Sequence, residues 1–204
     1  MSGASEVAFL FAPGAGAPSS SAWMQAFRER LLRLGPTQAF DYPYQRAGRR
    51  TPDRQPALIA AHREAFETLR AVHSGPIVLV GKSMGGRMGC HLAVELGANG
   101  PIALVCLGYP LVGQNGAVRD AVLLELRTPV LFVQGSRDTM CPLPRLAEVR
   151  ERMQAPSELY VVADADHSLL VSRARLKADQ TSQAEVDERV ITTLETFVAR
   201  VRTK

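Results

Sequence analysis

Gly81-Lys82-Ser83-Met84-Gly85 has the G-x-S-x-G spacing that places a serine hydroxyl on a sharp strand-to-helix turn. The apolar run before it, residues 76–80, reads as a buried strand, and residues 84–96 read as a helix. Glycines on both sides remove side chains that such a tight turn has no room for. The serine also sits at a helix N-terminus, where backbone N–H groups and the dipole favour negative charge. A serine hydroxyl is a weak nucleophile at neutral pH. It needs a base to take its proton and a third group to orient that base.

On a turn of this kind the acid and then the base follow the serine along the chain. His62 and His73 precede Ser83 and are out of order. His91 lies about 12 Å along the helix axis from Ser83, at 1.5 Å per residue, and cannot reach back. His167, in Asp164-Ala165-Asp166-His167-Ser168, remains as the base. Asp138, in Gln134-Gly135-Ser136-Arg137-Asp138, is the preferred acid because it follows a strand and so falls on the edge shared by Ser83 and His167. Asp164 and Asp166 stay open as alternatives by proximity to His167 in the chain. Glu148 and Glu151 lie too far along the next helix. Two backbone N–H groups are needed to hold a developing oxyanion. Met84, following the nucleophile, supplies one, and Ala15, in Pro13-Gly14-Ala15-Gly16 after the first strand, supplies the other. That glycine-rich turn lacks the Lys and Ser/Thr positions of a phosphate loop.

The elements that must carry these residues alternate along the chain. Six strand-like runs fall at residues 6–12, 37–41, 76–80, 102–107, 130–133 and 158–162. Most are continuous apolar runs without strict alternation, the pattern of a mostly parallel sheet with helices on both faces. Three runs follow a proline, Pro76, Pro101 and Pro129, tolerated at a strand's first residue. Helices are expected after Ser20 or Ser21, with Trp23, Phe27, Leu31 and Leu34 as one stripe, and over 57–72, 84–96, 116–126 and 142–153. A final helix opens at a Ser182/Glu185 capping box and carries Val186, Val190, Leu194, Phe197, Val198 and Val201. The arginine-rich stretch to about Pro56 and residues 171–181 read as irregular loops.

With 204 residues the chain is expected to form one domain, spanning 1–204. No apolar run approaches the ~20 residues of a membrane span, and residues 1–6 are too short and polar for a signal peptide. A net charge of +4 is no argument for nucleic acid. Cys90, Cys106 and Cys141 are odd in number and unpaired in spacing, which points to buried or free thiols in a reducing, cytoplasmic setting. No His/Cys/Asp cluster has metal-ligand spacing. Arg49 and Arg50, with Arg46 and Arg54, are candidates to hold an anionic substrate group, although charge runs are more often solvated. Arg87 is read as a loop anchor and Cys141 as a small buried apolar residue.

With these residues in place, the chain resembles the α/β-hydrolase superfamily, and more narrowly the small-hydrolase family that includes testis-expressed protein 30. The stretches that carry the resemblance are Ala12-Pro13-Gly14-Ala15-Gly16, Phe40-Asp41-Tyr42-Pro43-Tyr44, Gly48-Arg49-Arg50, Gly81-Lys82-Ser83-Met84-Gly85-Gly86-Arg87, Gly135-Ser136-Arg137-Asp138 and Asp166-His167-Ser168. The resemblance implies a three-layer hydrolase core that lacks the first two strands of larger relatives. It puts Ser83, Asp138 and His167 in the triad roles. Pro13-Gly14 stands where many hydrolases have His-Gly. Residues 108–128 leave room for one helix and no large lid.

The expected activity is hydrolysis of small or exposed carboxylic esters or thioesters, through an acyl-enzyme and without a cofactor. The expected partner is that small-molecule substrate, with neither nucleic acid nor membrane. Peptide-bond or carbon–carbon hydrolysis could use the same triad. A non-catalytic interaction module on the same fold is the alternative from another class.

Overall fold

Each apolar run becomes a strand of one all-parallel six-stranded sheet, in the order β2-β1-β3-β4-β5-β6. The computed structural model describes residues 6–113 and 115–203, so the reading of residues 1–6 as no signal peptide falls, Glu6 apart, outside the described residues. The strands are β1 Ala8–Ala12, β2 Thr37–Ala39, β3 Ile77–Lys82, β4 Ala103–Leu107, β5 Val130–Gly135 and β6 Ser157–Val162. The helices are α1 Ala22–Leu31, α2 Pro43–Arg46, α3 Gln55–Val72, α4 Met84–Leu96, α5 Ala121–Glu125, α6 Leu143–Arg152, α7 Arg173–Ala178 and α8 Gln183–Arg202.

The continuous apolar runs have a simple cause: both faces of the sheet are covered. Leu10, Leu79, Leu104 and Phe132 point to the side of α3, α4 and α6. Their neighbours Phe9, Val78, Val105 and Leu131 point to the side of α1 and α8. With a strand period of two, nearly every position of β1, β3, β4 and β5 is then a core position, while the edge strands β2 and β6 are only partly covered. Full burial of a Leu or Phe at these sites contributes about 1.5–3 kcal/mol each. The long last helix is fastened at its start as its sequence predicts. The Ser182 hydroxyl accepts from the Glu185 N–H, and the Glu185 carboxylate accepts from the Ser182 N–H.

Local elements differ from expectation in four places. Ser21 takes the N-cap position of α1 without a side-chain cap bond, and Leu34 falls beyond the helix end. The helix expected over 116–126 is confined to Ala121–Glu125, because Val118 pairs with Val112 in an antiparallel bridge instead. The arginine-rich stretch contains α2, started by Pro43 at its first position, where a missing N–H costs nothing. Residues 171–181 contain α7, capped by the Ser172 hydroxyl. Among the described residues no insertion forms a lid, and no helix is long and apolar enough to cross a membrane.

The sheet has its topological switch between β1 and β3, since the chain proceeds outward from there in both directions. Ala12 at the end of β1 is in register with Gly81 near the end of β3. The loop after β1 therefore lies beside the turn after β3. The ends of β5 and β6 are in register too, at Gly135 and Val162.

Candidate active site

Ser83 joins β3 to α4 with φ 49° and ψ −113°, a left-handed conformation that a residue with a side chain rarely adopts. Its N–H donates to the Leu107 carbonyl at 2.9 Å, which ties the turn to β4. A methyl group on Gly81 would run into the backbone of Gly86. One on Gly85 would stand 2.6 Å from the carbonyl oxygens of both Ala12 and Pro13. Close backbone packing, beyond turn geometry, is thus what demands glycine on either side of the serine. The surrounding packing holds a strained residue at the head of the helix, where strain of ~1–3 kcal/mol persists only if it is over-determined.

The loops after β5 and β6 bring two further groups to this hydroxyl. His167 Nε2 is 2.8 Å from Ser83 Oγ, and His167 Nδ1 is 2.8 Å from Asp138 Oδ2. A carboxylate only accepts, so Nδ1 carries the proton, and in a neutral imidazole Nε2 is then the atom that accepts from the serine hydroxyl. Asp138 is held firmly: its side chain is fully buried and its other oxygen accepts the Met140 N–H at 2.8 Å. Asp164 and Asp166 are occupied elsewhere. Asp166 Oδ1 accepts the N–H groups of Ser168 and Leu170 and folds the loop that carries His167. Asp164 accepts from the Ser172 hydroxyl at 2.6 Å and pairs with Arg137.

The loop after β1 stands over the serine, and a methyl on Gly14 would lie 3.6 Å from Ser83 Cβ. Three residues from the stretch after β2 hold this loop. Asp41 Oδ1 accepts the Ser19 N–H at 2.6 Å. The Tyr44 hydroxyl donates to the Ala15 carbonyl at 2.9 Å. Gln45 Oε1 accepts the Tyr42 N–H, which turns its Nε2 toward the carbonyls of Gly14 at 3.0 Å and Ala17 at 2.9 Å. In a trans peptide the C=O and the following N–H point in opposite directions. Gln45 draws the Gly14 carbonyl to one side, so the Ala15 N–H faces the other. Among the described residues that N–H has no protein acceptor. Met84 opens α4, so its N–H has no acceptor within the helix.

A cavity of about 480 Å³ opens at Ser83 and His167. Trp23, Met24, Met140 and Leu170 give it apolar walls, the Ala15 loop forms one rim, and Lys82 lines it as well. Lys82 Nζ donates to the His167 carbonyl at 2.5 Å and lies 5.5 Å from the Trp23 ring centre. Gly108, at φ +67°, makes room for that contact: a methyl there would stand 3.3 Å from Lys82 Nζ and collide with the His167 carbonyl. Burial lowers the Lys82 ammonium to about 8, against the opposing pull of Asp138 and Asp166. Arg49 and Arg50 are not brought to this cavity. Both are exposed, and Arg49 pairs with Asp53 at 2.6 Å. Arg87 donates to Gln55, where the arginine-rich loop ends. Cys141 is fully buried and burial pushes its thiol up to about 12, as befits a packing residue.

The family model for the alpha/beta hydrolase domain matches residues 5–199, nearly the whole chain. The chain belongs to the α/β-hydrolase family. Solved structures of similar fold agree. Est1E from Butyrivibrio proteoclasticus superposes with TM-score 0.73 at 14% identity, covering 100% of this chain and 91% of that one. A lid-less α/β serine hydrolase from Xanthomonas campestris superposes with TM-score 0.71 at 17% identity, covering 96% and 82%. The RedJ thioesterase of the prodiginine pathway in Streptomyces coelicolor superposes with TM-score 0.66 at 18% identity, covering 95% and 86%.

Within this α/β-hydrolase domain, sequence reasoning missed the clamp made by Asp41, Tyr44 and Gln45 and the placement of Lys82. The Phe40-Asp41-Tyr42-Pro43-Tyr44 motif was the available signal for the first. Nothing local signals the second, because the Lys82 partner lies 85 positions away.

Proposed function

We propose that this α/β-hydrolase domain is a serine hydrolase of carboxylic esters or thioesters. The observation that carries the reading is the unbroken relay from Ser83 Oγ through His167 to Asp138, with both contacts at 2.8 Å. Ser83 attacks the acyl carbonyl while His167 Nε2 takes the hydroxyl proton. Asp138 keeps the imidazole in the required tautomer and stabilises the imidazolium. The N–H groups of Met84 and Ala15 receive the carbonyl oxygen as it becomes negative, a contribution worth on the order of 10²–10³ in rate per donor. His167 then returns the proton to the leaving alcohol or thiol, and water releases the acyl group by the same steps in reverse order. No step calls on a cofactor.

The thioesterase and serine hydrolase among the structural neighbours support this reaction class, and the lid-less neighbour supports access by exposed substrates. The Gly81-Lys82-Ser83-Met84-Gly85-Gly86-Arg87 motif supports the narrower likeness to the testis-expressed protein 30 family. Hydrolysis of short acyl nitrophenyl esters and acyl thioesters tests the reading. Turnover by the parent protein, abolished in Ser83→Ala and in His167→Ala, is expected. Turnover that survives both substitutions contradicts it.

A further inference from the structure

Among the described residues, Lys82 is the only Lys, Arg, Asp or Glu side chain that lines the cavity at Ser83. Its ammonium has three N–H donors, of which the His167 carbonyl takes one. Among the described residues no carboxylate stands within ion-pair distance of it. Two carboxylates, Asp138 and Asp166, act on it through space without pairing with it. Asp138 spends one oxygen on His167 and the other on the Met140 N–H. Asp166 accepts two N–H groups of its own loop through Oδ1 alone. A half-buried cation without a paired anion is costly, and a ligand that supplies the anion offsets that cost. Trp23, stacked on Phe27 with ring centres 5.0 Å apart, gives a fixed aromatic wall beside the amine.

We infer that Lys82 forms a carboxylate subsite, and that the preferred substrates are esters or thioesters with an apolar chain ending in a carboxylate. The apolar walls take the chain, and the ammonium takes the terminal anion by a charge-assisted hydrogen bond, stronger here than in water. Lys82 thereby determines specificity, while its bond to the His167 carbonyl keeps the amine at the cavity wall. The inference draws on the serine-hydrolase reading only for the bond that is cleaved; the binding itself stands apart from turnover.

Calorimetric titration of the Ser83→Ala protein with monomethyl adipate and with methyl hexanoate tests it, since the two esters share chain length and differ in the terminal charge. Monomethyl adipate is expected to bind about tenfold to a hundredfold more tightly at pH 7, the range a hydrogen bond to a charged group contributes. Adding Lys82→Met is expected to remove that preference, and Lys82→Arg to retain it. The charged and titratable groups facing Lys82 are Asp138, Asp166 and His167. Neither ester titrates between pH 7 and 10, so the preference declines over that interval as the ammonium, lowered to about 8, loses its proton. Equal affinities in the Ser83→Ala protein overturn the inference, as does a preference that survives Lys82→Met. Absence of ester turnover in the parent protein would instead end the catalytic reading, and the calorimetry would still decide the subsite.

Discussion

The Tyr44 hydroxyl donates to the Ala15 carbonyl across 2.9 Å, joining the short helix after β2 to the loop that overhangs Ser83. This bond fixes one peptide of a loop whose Ala15 N–H is proposed to hold the oxyanion. Tyr44→Phe removes only the hydroxyl. It is expected to lower kcat about tenfold to a hundredfold, part of what a lost oxyanion donor costs, with little change in KM. The affinity for a trifluoromethyl ketone, which mimics the tetrahedral intermediate, should fall in parallel with kcat/KM. A drop in melting temperature without that parallel would mean Tyr44 serves folding alone.

Asp138 is buried and dedicated to His167, whereas Asp166 shapes the loop on which His167 sits. Asp138→Asn preserves shape but lets the imidazole adopt the wrong tautomer. A fall in kcat on the order of 10⁴ is expected. Asp166→Asn, which keeps an oxygen for the Ser168 and Leu170 N–H groups, should cost far less. Steady-state kinetics of the two variants side by side decide the matter, and equal losses would contradict the assignment of the acid.

Gly85 has no space for a side chain, because a methyl would meet two carbonyl oxygens at 2.6 Å. Either α4 or the loop after β1 must move. Gly85→Ala is expected to cost about 1–3 kcal/mol in urea denaturation, the usual penalty of overpacking. Activity should fall further than stability explains, since the displaced loop carries Ala15. A variant of parental stability and activity would show that this contact is softer than the geometry states.

Away from the chemistry, His62 lies buried on α3 with Nδ1 3.2 Å from the Tyr42 hydroxyl, and burial lowers it from 6.5 to about 3. The unfolded chain takes up a proton at this histidine below pH 6.5, while the folded protein resists it until about pH 3. Stability therefore falls as the pH drops through that window, by on the order of 4 kcal/mol for this group at the acid end. Urea midpoints of the parent and of His62→Leu between pH 7 and 3.5 should show a shallower acid decline in the variant. Identical declines would remove His62 as an acid-sensitive point.

The sheet was legible because a two-sided core writes itself as unbroken apolar runs, and prolines at residues 76, 101 and 129 punctuated them. Ser83 and His167 could be picked out by chain order, and the structure puts Asp138, not Asp164 or Asp166, against the imidazole. Where reading failed, the cause was tertiary. Val118 has helical spacing with its neighbours, but its pairing with Val112 wins. Arg49 and Arg50 follow the right strand yet turn outward to solvent and to Asp53. Lys82 adjoins Ser83 in plain sight, and only the fold shows that it lines the cavity and that its amine reaches the carbonyl of His167. Gln45 stands at the third position of α2, where its bond to the Tyr42 N–H is local, but nothing near it signals its bonds to the distant Gly14 and Ala17 carbonyls.

His167 and Asp138 are proposed to make the Ser83 hydroxyl reactive. Intact-protein mass measurement after treatment with a fluorophosphonate probe tests it most directly. One added phosphonyl group is expected on the parent protein, slow labelling on His167→Ala, and none on Ser83→Ala. Labelling of Ser83→Ala at the parental rate, or a parent protein that stays unlabelled, would contradict it.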